Sequence, residues 1–414
     1  MTTLDIDFVR SQFPAFKEPS LQDWSFFENA GGSYACHQVI DRLNNYYRKT
    51  KLQPYHPFPA SEAAGQEMDQ ALIKLAAYLN VSEAEIDLGP STSQNTYVLA
   101  QAFRATMQEG DEIIVTNQDH EANSGVWRRL SDSGITVREW RVDPETGYLN
   151  LSDLDNLLND KTRLVTFPHC SNIIAHVNPV AEISARAHAV GAKVVVDGVS
   201  YAGHGFPDVS ALGADVYLFS LYKTYGPHQG LMFIRQETRE MLAYQGHFFN
   251  KDLAHKRFVP AGPDHAQVAA SSGITEYFDA VHAHHFGQQT NSAKRGQDIH
   301  DLFQAQEQAL MAPLLEYIRS RNDLRLLGPD KPEDRAPTIS LIIKQNGIIK
   351  RNGRSVAEDL SQHGIMAAGG HFYSYRLFEG MNLDPESGAL RVSFVHYTSP
   401  DDIQKLLKAL DQVL

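Results

Sequence analysis

The sequence predicts an α/β protein: a mainly parallel sheet covered by helices on both faces, followed by a smaller α+β unit. Three observations carry this. Short apolar runs rich in β-branched residues recur between residues 111 and 235, as DEIIVT, RLVTF, KVVVDG, VYLFS and GLMFIR. They are apolar throughout rather than alternating, as strands buried on both faces are. Helical patterns separate them, which is the order that builds parallel sheets. The chain of 414 residues also exceeds one small core, so a large and a small domain are expected.

Taken in order, residues 1–20 read as a helix and an arm. VIDRLNNYYRK (39–49) and EAAGQEMDQALIKLAAYLN (62–80) have helical spacing of apolar residues. DEIIVT (111–116) is a strand, DLDNLL (153–158) a helix and RLVTF (163–167) a strand. In VAEISARAHAVG (180–191), Val180, Ile183, Ala187 and Val190 share one face, and Gly191 stands where a C-terminal cap would. KVVVDG, VYLFS and GLMFIR complete the strands. The texture changes near residue 290. A long helix is expected over 298–321, a polar Pro-rich connector over 328–337, then strands in TISLIIK, GIMAAGG and ALRVSFVHY, and a final helix. The expected domains are 1–20 (arm), 21–290 (large) and 291–414 (small).

Composition excludes several classes. A net charge of −13 argues against a nucleic-acid or anionic-membrane surface. No stretch approaches the ~18 apolar residues of a membrane helix, and the N-terminus lacks a signal-peptide core. With only Cys36 and Cys170, a reducing, cytoplasmic setting is expected. HAHHF (282–286) lacks the spacing of a closed zinc site and reads as helix-surface histidines, so no metal is expected.

On parallel sheets, ligands collect at the carboxyl ends of strands. His120, Asn172, Asp197 and Lys223 all fall just after a strand run. Asp197 ends a very apolar run, where a carboxylate is costly without a cation or strong donor. Lys223 follows VYLFS among hydroxyl residues. Together they suggest pyridoxal phosphate, which needs a lysine for its Schiff base and an acid beside its pyridine nitrogen. Its phosphate needs backbone amides at a helix start plus hydroxyls. GPSTSQNTYVLAQAF (89–103) offers these, and Ser220 and Tyr222 add hydroxyls beside the lysine.

These segments, SLYKTYGPHQG and KVVVDGVSYAGH with HCSNIIAHVNP ahead of them, resemble fold-type I pyridoxal-phosphate enzymes of aminotransferase class V. The similarity is greatest to the cysteine desulfurase and selenocysteine lyase branch, and it runs from FFENAGG to the C-terminus. The resemblance implies a seven-stranded large-domain sheet and a homodimer acting on a small amino acid. It implies that Lys223 holds the cofactor and moves protons at the substrate Cα, and that Asp197 pairs with the pyridine nitrogen. His120 would stack on the ring. Ser91 and Thr92 would bind the phosphate with Ser220 and Tyr222, and Asn172 would lie near the ring oxygen or substrate carboxylate. Ser200 stands where the family often has glutamine, and Tyr222 where it commonly has histidine. Asn29, Gly31 and Arg391 would bind substrate, with Arg391 clamping its carboxylate. The family's cross-subunit Gly-Thr-Pro is AGPDH (261–265) here, with Gly262 in place of the hydroxyl.

One departure bears on the reaction. A desulfurase uses a loop cysteine that takes sulfur as a persulfide. The matching loop, GGHFYSYRLFEG (369–380), has no cysteine, and Tyr373 falls near its place. Elimination does without that nucleophile. A cysteine-type C–S lyase is therefore the expected activity. A desulfurase using Cys36 or Cys170, an aminotransferase or epimerase, and a cofactor-binding protein without catalysis are the alternatives.

Overall fold

Residues 2–287, 290–345 and 348–414 are described by the computed structural model of the chain. Its strands are β1 (Ser25–Phe26), β2 (Ile86–Gly89), β3 (Glu112–Thr116), β4 (Thr136–Trp140) and β5 (Thr162–Pro168). Then come β6 (Lys193–Asp197), β7 (Val216–Ser220), β8 (Gly230–Ile234) and β9 (Leu324–Leu327). The last are β10 (Thr338–Gln345), β11 (Ile348–Arg351), β12 (Ile365–Met366), β13 (Ala368–Gly370) and β14 (Ala389–Ser393).

Seven of them form the main sheet, in the order β2-β8-β7-β6-β5-β3-β4. Neighbours from β7 through β6, β5 and β3 to β4 are parallel. β8 runs antiparallel to both β7 and β2. Alternate side chains feed two cores, as the strand period demands. Val194, Val196, Tyr217 and Phe219 pack with Ile183, Ala187, Leu75 and Phe278 on one face. Val195, Val216 and Leu218 pack with Leu99, Phe103 and Trp127 on the other. The mainly parallel α/β sheet expected from the sequence is thus present.

Two of its strands escaped the sequence reading. β4 (TVREW) is an edge strand, exposed or half-buried except at Trp140, so it has no apolar run to notice. β2 (IDLG) is only four residues long and carries a buried acid. That acid, Asp87, meets Arg239 at 2.6 Å, and both side chains are 4% exposed. Breaking such a pair strands a charge in the interior. Arg239→Ala should therefore destabilise the protein by about 3–5 kcal/mol, read as a lower urea midpoint at unchanged slope.

A second sheet has the order β11-β10-β14-β13, with β9 also paired to β10. The helix Ser292–Arg319 and the C-terminal helix Pro400–Val413 cover it through Leu314, Ile318, Ile403, Leu406 and Leu410. β1 pairs with β12, so the segment just after the expected arm is bound to the C-terminal part of the chain. The HAHHF histidines lie on the helix Ser272–Phe286. His282 is buried there rather than on the surface, 3.2 Å from Asp298. His284 stacks on Phe8 and pairs with Asp5, and His285 accepts the Asp5 N–H, so both hold down the first helix. Among the described residues, no helix is long and apolar enough to cross a membrane.

Candidate active site

The main-sheet strands deliver their polar residues to one edge. Asp197 is the last residue of β6, and Lys223 lies in a short turn directly after β7. His120 follows β3 and starts the helix Glu121–Arg128; Asn172 follows β5. One cleft gathers Thr92, His120, Asn172, Asp197, Ser200, Ser220, Tyr222 and Lys223, together with Ser93, Ala122, Pro168, Cys170 and Val199.

Lys223 is positioned by its backbone. Ser33 Oγ donates to the Tyr222 carbonyl at 3.1 Å and accepts the Tyr225 N–H at 2.7 Å, so one serine ties both sides of the lysine turn. Tyr225 has φ +68°, a strained value for a bulky residue that this bond helps to hold. Burial, and then the Arg391 guanidinium, lower the Lys223 ammonium from its ordinary 10.5 to about 8. Asp197 and Glu28 oppose that shift. Tyr222 stacks on His228, with ring centroids 4.7 Å apart.

Asp197 is 5% exposed, and its Oδ1 accepts the Val199 N–H at 2.8 Å. Burial raises its carboxyl to about 6, against the pull of that N–H and of Lys223. His120 accepts the Ala122 N–H at Nδ1 (3.0 Å), so its proton sits on Nε2. Burial, Lys223 and Arg391 hold its pKa down at about 3, which keeps the ring neutral.

At the other end, the helix Thr92–Arg104 points its first turn at the cleft. Its leading N–H groups lack partners within the helix and carry the positive end of its dipole. Thr92 Oγ1 and Ser220 Oγ are 2.8 Å apart beside it. Ser91 instead accepts the Gln94 N–H as the helix cap, and the cleft lining falls to Thr92 and Ser93. Gly230 lets the helix start sit on β8: a Cβ there would lie 2.4 Å from Ser91 C and 2.5 Å from Thr92 N.

Asn172 is fixed at both ends of its amide. Its Nδ2 donates to the Phe372 carbonyl at 3.0 Å, and its Oδ1 accepts from Ser374 Oγ at 2.7 Å. Asn29 lies in an adjoining recess that also touches Ser200 and Lys223. Its amide is bonded to the Ser393 carbonyl and the Tyr397 hydroxyl. Arg391 lies in β14, 3% exposed, outside the cleft lining, and bonds Glu28 Oε1 at 2.8 Å. Gly31 lies outside the cleft lining, and a Cβ on it would lie 2.6 Å from Glu28 Oε1. Its service is to make room for that carboxylate.

The family model for class V aminotransferases ("Aminotransferase class-V") matches residues 25–406. The chain belongs to this family. A 33%-identical relative, the aminotransferase-like protein FGM3 of Gibberella zeae, aligns over 100% of this chain and 99% of its own length. A cysteine desulfurase of Serratia proteamaculans is 29% identical over 99% of this chain and 98% of its own. Among solved structures, a cysteine desulfurase of Thermococcus onnurineus NA1 superposes with a TM-score of 0.85 at 21% identity, covering 100% of this chain and 99% of that one. The cysteine desulfurase CsdA of Escherichia coli gives 0.82 at 21%, covering 99% and 98%. These superpositions show that the chain shares their fold.

Within this class V chain, both thiols are enclosed. Cys170 lines the cleft, but its Sγ is turned to the Ala175 carbonyl at 3.4 Å. Cys36 precedes the helix His37–Lys49, with Sγ 3.8 Å from the Gly273 carbonyl. Burial pushes each thiol up to about 12, so both stay protonated at neutral pH. The 369–380 loop carries Tyr373, 69% exposed, with its ring 5.2 Å from His120. Phe372 and Tyr373 both adopt positive φ, +49° and +60°. Phe372 lies 3.7 Å under the Arg391 guanidinium, and the Tyr373 carbonyl accepts the Glu121 N–H at 2.8 Å. Sequence reading missed Glu28, Ser33, Ser93 and Phe372. For Glu28 the acid in FFENAGG was visible, and Ser93 stood among the hydroxyls of GPSTSQ; for Ser33 and Phe372 only folding supplies the signal.

Proposed function

We propose that the protein is a pyridoxal-phosphate enzyme that cleaves the C–S bond of a small amino acid by β-elimination. The observation that carries this reading is one cleft that pairs a lysine poised near pH 8 with a buried carboxylate, in a chain whose only thiols are enclosed. The donor set fits the cofactor. Lys223 Nζ would hold it covalently, Asp197 would keep its pyridine nitrogen protonated, and the neutral His120 ring would lie along it. The helix start at Thr92 and Ser93, with Ser220, would take the phosphate. Asn172 would meet the ring oxygen. When bound, pyridoxal phosphate supplies a sink for the electrons left at the substrate Cα.

The chain's own groups then divide the work. Lys223, as a free amine, takes the Cα proton. The electrons of the Cα–H bond form a Cα=Cβ bond as the C–S bond breaks toward sulfur. For cysteine, with one water, the products are pyruvate, ammonia and hydrogen sulfide. Tyr373, at the mouth, occupies the place where a persulfide-forming cysteine would act. We place this activity in the cytoplasm, where two unpaired thiols remain reduced. We also assign the working form as a homodimer. Phe248 and Phe249, 88% and 70% exposed, present apolar surface of the kind a subunit contact covers.

The test is a panel of cysteine, cystine, selenocysteine, alanine and serine, followed by absorbance and product analysis. Pyruvate with sulfide is the expected result from cysteine. A Cys36→Ser, Cys170→Ser double variant should keep more than half of wild-type turnover. Alanine with a persulfide on either cysteine, seen by mass spectrometry, would overturn the elimination reading.

A further inference from the structure

Arg391, 3% exposed, and Glu28, 27% exposed, form an ion pair that leaves hydrogen-bonding capacity unused. Arg391 Nη2 bonds Glu28 Oε1 at 2.8 Å, and Nη1 bonds the Asn172 carbonyl at 3.3 Å. Phe372 covers one face of the guanidinium at 3.7 Å. Two buried atoms are left without any partner: Arg391 Nε, a donor, and Glu28 Oε2, an acceptor. Buried polar atoms in folded proteins almost always have partners, and exceptions mark strain or a ligand. Glu28 is bridged to Ser393 in the strand of Arg391, and its carboxylate fills the space over Gly31. Both charges also lie close enough to Lys223 to bias its titration in opposite directions.

Charge counting says what this pair accepts. Arg391 alone would balance one substrate carboxylate. With Glu28 already on it, a second carboxylate leaves one uncompensated negative charge beside a guanidinium that is 3% exposed, which is costly. Lys223 faces this pair, Asp197 faces Lys223 in turn, and the two carry opposite charges. A ligand that meets both orphaned atoms brings an acceptor to Nε and a donor to Oε2, and a cationic donor also restores neutrality.

Resting on the reading of the site as a pyridoxal-phosphate C–S lyase, we propose that Glu28 is a specificity-determining residue. It selects cysteine derivatives whose sulfur substituent ends in an amine or another cationic donor. The α-carboxylate goes to Arg391, and the distal cation goes to Glu28. Unsubstituted cysteine and alkyl-capped cysteines are the poorer substrates.

The experiment uses a matched pair of near-equal shape, S-(2-aminoethyl)-L-cysteine and S-propyl-L-cysteine, on the cofactor-loaded enzyme. The ratio of their kcat/KM values is measured for wild type and for Glu28→Gln. Comparing ratios cancels the different leaving tendencies of the two thiols. The expected result is that the preference for the aminoethyl compound falls at least tenfold in Glu28→Gln, mostly through KM. Calorimetric titration of the two compounds should show the same discrimination in affinity, independent of turnover. Glu28→Asp, which keeps the charge, should retain part of the preference. A ratio unchanged within twofold, or wild-type affinities that do not differ, would overturn the proposal. If neither compound perturbs the cofactor absorbance or releases pyruvate, while calorimetry still discriminates them through Glu28, it is the lyase reading that fails and the recognition site that stands.

Discussion

Lys223→Ala is expected to lose turnover by at least 100-fold and up to about 10,000-fold, the span carried by a positioned acid–base group. The loss should come with loss of the covalent cofactor link, seen as failure of borohydride reduction to fix the chromophore to the chain. The pH dependence separates this lysine from a surface one. Burial and Arg391 bring its ammonium down from 10.5 to about 8. At pH 7 about one molecule in ten then carries the neutral amine, against fewer than one in a thousand for an ordinary lysine. Cofactor uptake by wild type should accelerate as pH rises through about 8 and level off above it. The same shift has a stability signature. The folded state releases its proton at lower pH than the unfolded chain. Between about 8 and 10.5 the unfolded state binds more protons, and stability rises with pH across that window. Below pH 8 the full cost of burying the cation remains. Lys223→Met should remove that rise, and an uptake midpoint near 10.5 would contradict the site assignment.

The second large effect is at Asp197. Asp197→Asn keeps an oxygen that can accept the Val199 N–H but removes the negative charge. Turnover should fall by about 100-fold or more, the scale of losing a preorganised electrostatic partner. Stability without cofactor should move the other way. Burial raises the folded carboxyl from 3.8 to about 6, so the folded state holds its proton longer than the unfolded chain. Stability therefore falls as pH rises from about 4 to about 6, and above 6 the ionised acid costs about 3 kcal/mol. Asp197→Asn should be more stable than wild type by about 1–3 kcal/mol at pH 7 and nearly equal to it below pH 4. Urea unfolding at the two pH values measures this. Lower stability at pH 7 would mean the carboxylate is held by a partner in the fold and is not waiting for a ligand.

Much of the site was legible because its residues sit at the ends of apolar runs. Asp197 stands out at the tip of KVVVD, since a carboxylate ending so apolar a run is costly without a cation or strong donor. Lys223 stands out after VYLFS, and the helix start near Ser91 after a Gly-Pro turn. The one-residue difference there is instructive. Any of Ser91, Thr92 and Ser93 could have capped the helix; the backbone angle at the strand–helix turn gave the cap to Ser91 and the cleft to the next two. Arg391 was legible through the family resemblance of ALRVSF, but its partner was not. Glu28 lies 363 residues away in the chain, and pairing of β14 with the backbone beyond β1 brings the two together.

By itself the sequence determined the α/β class, the strand ends that carry chemistry, and the absence of a cysteine in the 369–380 loop. These are local facts: hydrophobic period, turn residues and residue identity. Tertiary structure alone decided the protonation of the groups and the company they keep. It enclosed Cys36 and Cys170, lowered Lys223, raised Asp197 and gave Arg391 a carboxylate before any substrate arrives. Desolvation and pairing depend on which distant segments pack together, and that information exists only once the chain has folded.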